Sequence, residues 1–207
     1  IMPSLVGSEM CIRDRYILPY RYLIETEEEK MDVEYMSCYY EDMIEKIMKE
    51  ALTEEYWNKA GEFCDYYDEI MKEAPEILKD VLEKVMEHYE MIEAQVLKEM
   101  YLRGASDLEK LHIQGKDASS SIKMLETEYG SKKKQIYDEV SQILKVRENV
   151  RIEWHQKHAA ERQIYKEMSY KICRQYETLM KIKKMVNAVE RRLMYLQGAL
   201  DRSRMLA

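Results

Sequence analysis

The chain has 207 residues, 46% hydrophobic and 35% charged, with 6 Gly, 3 Pro, 16 Met, 17 Tyr and a single Phe. So few breakers beside so much Glu, Lys, Met and Leu, with no proline after Pro75, exclude a sheet with its turns and point to an all-α fold. The net charge of -7 is unevenly spread, because from Ser131 onward 18 Lys and Arg face 9 Asp and Glu, leaving +9 on that part and -16 on the first 130 residues. The cations are scattered among Glu residues in no single stripe, which argues against nucleic acid and for two halves packed acid on base.

In chain order, the opening Pro3–Arg15 resembles a translated sequencing adapter of the kind found in conceptual proteins from environmental assemblies. Glu27-Glu28-Glu29-Lys30, directly before Met31, can be encoded by a purine-rich run placed like a bacterial ribosome-binding site. Residues 1–30 are therefore expected to be an artefactual or disordered leader, with Met31 as a candidate start. The alternative reading of Glu27 to Lys30 is an acidic first helical turn.

Met36, Tyr40, Met43, Ile47 and Ala51 recur every three or four residues, so Asp32 to about Leu52 is expected to form an amphipathic helix. Thr53 is a candidate N-cap. A second apolar stripe, Phe63, Tyr67, Ile70 and Ala74, leads to Pro75, where the helix should restart or kink. Ile77 to Val96 then carry the face on to about Tyr101, which makes 31–103 an acidic helical hairpin. Gly104 is expected to stop it, and Ser106 with Glu109 has capping-box spacing, so 104–130 should be a third helix whose seam includes Leu108, Leu111, Ile122, Leu125 and Tyr129. Gly130 suggests a break and Ser131 a cap for one long basic coiled-coil helix over 131–207, with any hinge near 154–160, where the seam is poorest.

That last helix holds the clearest pattern in the chain. Leu179, Ile182, Val186, Val189, Leu193, Leu196 and Leu200 alternate by three and four, a heptad seam containing no polar residue. Left in water it would be a sizeable apolar patch, so it is expected to dock on the acidic half, antiparallel to it, or on another copy. The fold expected is an elongated antiparallel helical bundle or coiled coil with one long C-terminal helix.

Chemical motifs are sparse. Glu109 and His112 have the Glu-x-x-His spacing of helix-bundle di-iron proteins, but such a site wants two of these motifs and only one is present. His155 and His158 share a helical face with Trp154, which suggests solvent. There is no phosphate loop, no G-x-S-x-G elbow and no paired cysteine motif among Cys11, Cys38, Cys64 and Cys173. Catalytic residues, a metal site and a cofactor are accordingly not expected. With reduced thiols, no 18-residue apolar run and no Sec leader, the chain reads as cytoplasmic, with Sec-independent export open.

The segment Trp57-Asn58-Lys59-Ala60-Gly61-Glu62-Phe63, between two amphipathic helices, resembles the helix-turn-helix bend of the WXG and LXG superfamily of type VII secretion substrates and their helical partners. The resemblance implies that Trp57, Gly61 and Phe63 form the bend, and that Tyr89 and Glu93 are the Tyr-x-x-x-Glu export signal. It covers 31–101 only, and here the Trp and Gly are four residues apart where the family has two. The expected function is a non-enzymatic, bacterial helical interaction protein pairing with itself or a protein partner, with a type VII substrate or partner as the specific form. The alternatives are a BAR-like dimer lying on anionic membrane through its basic half, and a ferritin-like di-metal bundle.

Overall fold

The computed structural model describes residues 27–51 and 53–206, and the chain is all-α, with six helices and no strand among those residues. The readings of Pro3–Arg15 and of Tyr16 to Thr26 lie outside the described residues. The helices are α1 (Glu27–Ala51), α2 (Glu54–Glu73), α3 (Glu76–Ile113), α4 (Ala118–Lys145), α5 (Glu148–Glu167) and the long last helix α6 (Tyr170–Leu206). Residues from Met36 onward pack as one compact unit, and every contact described below lies within it.

Two of the expected boundaries are where the residues put them. The Thr53 hydroxyl accepts the Tyr56 amide at 3.3 Å and opens α2, and Pro75 supplies the N-cap of α3, its carbonyl accepting the Leu78 and Lys79 amides. Others move. Gly104 does not stop a helix but lies inside α3, and the proposed capping box of Ser106 and Glu109 is helix interior. The turn comes instead at Gln114–Asp117, where Gly115 takes a φ of +79° that suits glycine, and the Asp117 carboxylate caps α4 by accepting the Ser120 amide at 2.9 Å. Gly130 and Ser131 sit within α4. The expected 70-residue helix is cut twice, at Val146–Arg147 and at Met168–Ser169, and runs unbroken through 154–160. Packing makes the first cut: Leu144 and Val150 are both buried, while Val146 between them is 77% exposed.

The centre of the fold is α3 beside α6. The two run in the same direction, as cross-helix pairs in rising order show: Glu90 with Lys183, Glu93 with Arg191, Glu109 with Arg202. The other pairings are antiparallel. Along α6 lies α2, with Lys171 bonded to Glu73 near one end and Lys183 over the Phe63 ring farther on. Along α3 lies α5, through Arg147 to Glu99 and His88 to Glu153. Two apolar cores result, one where α1 and α4 meet the C-terminal halves of α3 and α6, the other where α2 and α5 meet their N-terminal halves.

These helices form two matching sets. Adding 94 to the residue numbers carries the bounds of α2 onto those of α5, the start of α3 onto that of α6 and the end of α1 onto that of α4. The same shift superposes buried positions in the second core: Ile70 on Ile164, Leu82 on Tyr176, Val85 on Leu179, Met86 on Met180. It also aligns Met100-Tyr101-Leu102-Arg103-Gly104-Ala105-Ser106-Asp107 with Met194-Tyr195-Leu196-Gln197-Gly198-Ala199-Leu200-Asp201, differing at two positions. The molecule is thus a tandem pair of three-helix units, in which α2 and α5 each lie on the long helix of the other unit.

At the crossing, a Cβ on Gly104 would stand 1.8 Å from the Tyr195 carbonyl oxygen, and one on Gly198 would stand 1.9 Å from that of Tyr101. Backbone meets backbone there, so no side-chain rotation can make room. Gly104→Ala and Gly198→Ala should each destabilise the protein by roughly 3 kcal/mol, at the upper end of overpacking costs. Gly61, with nothing within 4 Å of its Cβ position, should gain about 0.5–1 kcal/mol as Ala through helix propensity. Urea unfolding of the three variants checks this, and equal effects at Gly104 and Gly61 would contradict the close crossing.

Candidate interaction site

The crossing is built from the duplicated octapeptide. In each helix the glycine removes the side chain that would hold the helices apart, and the tyrosine three residues earlier reaches across to the opposite aspartate. Tyr101 donates its hydroxyl to Asp201 Oδ2 at 3.0 Å, and Tyr195 donates to Asp107 Oδ2 at 2.8 Å. Each aspartate takes a further bond from the residue four before it: Arg103 Nε to Asp107 at 2.9 Å, and Gln197 Nε2 to Asp201 Oδ1 at 2.9 Å. Each tyrosine ring packs on another, Tyr101 on Tyr40 at 5.1 Å and Tyr195 on Tyr129 at 5.2 Å between centroids. Such reciprocal contacts are those of a twofold interface, here made within one chain. Burial, followed by the facing carboxylates, pushes both phenols far above their ordinary range.

Nearer the N-termini of α3 and α6 the contact is also polar. Arg191 grips Glu93 through two guanidinium nitrogens, and Asn187 Nδ2 donates to the Tyr89 hydroxyl at 3.3 Å. Glu190 is buried, which raises its carboxyl above the usual range, and the Tyr56 hydroxyl of α2 is hydrogen-bonded to it. Burial, aided by the Glu93 charge, lifts the Tyr89 phenol to about 12.

The residues singled out in the sequence fall in three places. Leu179, Ile182 and Val186 are buried as a seam should be, but Val189, Leu193, Leu196 and Leu200 are only half-buried. From Asn187 on, the buried side passes to Glu190, Met194, Gly198 and Asp201. A straight helix drifts about 20° per heptad against a 3.5-residue repeat, and the glycine crossing fixes which side faces α3. Tyr89 and Glu93 are occupied in the α3–α6 contact just described. Trp57, Gly61 and Phe63 make no bend, since α2 runs through all three, and the turns lie at Thr53 and Pro75 instead. Phe63 is half-buried, stacked on Tyr67 at 6.0 Å. Trp57 does not cover an opening between helices; it is 48% exposed, edge-on to Tyr56.

Of the histidine motifs, Glu109 accepts from Arg202 at 2.7 Å, His112 is exposed, and His158 meets Glu161 at 2.9 Å. Among the described residues no three His, Cys, Asp or Glu side chains are grouped to hold a metal.

What remains open is the outer side of the two short helices. That of α2 carries Trp57 among exposed acids, Glu54, Glu55, Glu62, Asp65, Asp68 and Glu69, against one exposed cation, Lys72. The outer side of α5 carries Arg151, His155, His158, Arg162 and Lys166 in one stripe of three and four spacing, all exposed, against one exposed acid, Glu148, in its first turn, with Ile152 and Trp154, the latter 45% exposed, beside it. Equivalent helices of the two units therefore present opposite charge. Residue-by-residue reading of periodicity missed the unit repeat, although the octapeptides at 100 and 194 were a sufficient signal. No family model matches the chain, and no curated protein or solved structure is similar to it.

The buried phenols set the alkaline limit of the fold. Tyr56, Tyr89, Tyr101, Tyr129, Tyr176 and Tyr195 are all shifted upward, burial being the largest cause in each. The folded chain holds these protons more tightly than the unfolded chain does. Their contribution is therefore fully present below about pH 10, the unfolded phenol range, and is lost as pH rises beyond it. Phenolate absorbance should appear together with loss of helical circular dichroism above that range. Ionisation of most tyrosines near pH 10 with the helices intact would show that the hydroxyls are solvated.

Proposed function

We propose that the protein is a non-enzymatic helical interaction protein that engages its partner through the outer side of α2. The observation that carries this is Trp57, 48% exposed one helical turn from a glycine with open space over it, on a helix whose opposite side is packed on α6. A large exposed aromatic ring is the kind of side chain that anchors protein contacts. The specific form proposed is a bacterial type VII secretion substrate or helical partner, which rests on the sequence resemblance of 57–63 alone, since those residues are helical and make no bend. Sec-independent export fits that form. No helix among the described residues is long and apolar enough to cross a membrane.

A photo-crosslinking amino acid in place of Trp57 should give discrete cross-linked species in cells, and one in place of Ile113, exposed at the C-terminal end of α3, should not. Equal, diffuse labelling from both would overturn the interaction reading. For the specific form, the tagged chain should reach the medium of a type VII-competent host and stay inside the same host lacking the secretion ATPase; retention in both removes that form.

A further inference from the structure

The partner's chemistry follows from the duplication, and this rests on the reading just given. We infer that copies of this chain associate head to tail, the acidic outer side of α2 of one copy docking on the basic outer side of α5 of the next. The two helices are equivalent elements, each 20 residues long and each laid antiparallel on the long helix of the other unit. Their inner sides kept the same apolar anchor, Ile70 in α2 and Ile164 in α5, both essentially without exposure. Their outer sides differ: α2 shows six exposed acids against Lys72, and α5 shows Arg151, Arg162 and Lys166 against Glu148. A pair of α2 faces or a pair of α5 faces sets like charges together, whereas α2 on α5 sets unlike charges together, so the favoured contact is heterologous. Trp57 on one face and Trp154 with Ile152 on the other supply exposed apolar area. Because α2 lies on α6 and α5 on α3, a molecule docked through one helix still offers the other, and association continues beyond two copies.

Sedimentation velocity of the purified full chain tests this without any variant. At about 0.02 M salt the mean mass should rise with protein concentration past that of a dimer, and at about 0.5 M salt it should fall toward the monomer as screening removes the charge attraction. Two charge-reversed proteins sharpen the test, one with Arg151→Glu, Arg162→Glu and Lys166→Glu, the other with Asp65→Lys, Asp68→Lys and Glu69→Lys. All six sites are exposed, so helical circular dichroism should not change. Each variant alone should remain a monomer, and an equimolar mixture of the two should associate again.

A wild-type protein that is monomeric at every concentration and salt overturns the inference, as does a mixture that fails to associate while each variant is folded. Cross-linking from position 57 to some other protein in cells, with no self-association of the pure chain, refutes this inference and leaves the interaction reading standing. Failure of both experiments removes both.

Discussion

Two peptide backbones in van der Waals contact, at Gly104 and Gly198, determine most of what surrounds them. Helix axes that close leave no room for side chains between them, so whatever flanks the crossing must satisfy itself by reaching past it. The tyrosines three residues before each glycine do so, each ending on an aspartate of the opposite helix. Close approach also rotates α6 so that Asn187, Glu190 and Asp201 face inward, and a buried carboxylate is tolerable only with donors at hand. Arg191, Tyr101, Gln197 and Tyr56 are those donors. The polar interior of this contact is thus a consequence of its proximity.

The helical class was legible in composition and spacing, and so were the boundaries made by local chemistry. Thr53 acts through its hydroxyl and Pro75 through its fixed backbone, each within a turn of where it stands, which is why a single sequence suffices to place them. Gly104 and Gly130 misled for the same reason: glycine ends a helix only if the chain needs to turn there, and whether it does depends on helices far away in sequence. The turns at Val146 and Met168 involve neither glycine nor proline. They exist because Leu144 and Val150, and likewise Ile164 and Tyr176, are buried on both sides of them.

The interaction residues divide along the same line. Seven leucine, isoleucine and valine positions with heptad spacing fixed α6 as a helix that packs, and three of them are its core positions. The remaining four lost that place to Met194, Gly198 and Asp201, because a close crossing prefers the narrow side of a helix to its most apolar side. Trp57 was read as part of a bend that α2 does not contain. The ring's exposure is what moves it from a stabilising role to one at the surface.

The exchange of short helices between the two units has a bearing on how the chain folds. While the first unit is being synthesised, α2 has no α6 to lie on, and Ile70, Leu82, Val85 and Met86 have no complement from α5 and α6. Their contacts join residues about a hundred positions apart, so the loop between them must close before any of that burial is gained. The nascent first half is consequently an unfinished surface, and it waits on the arrival of its own duplicate. Contacts of that separation favour late condensation, and until α5 and α6 emerge the apolar side of the first half lacks its cover.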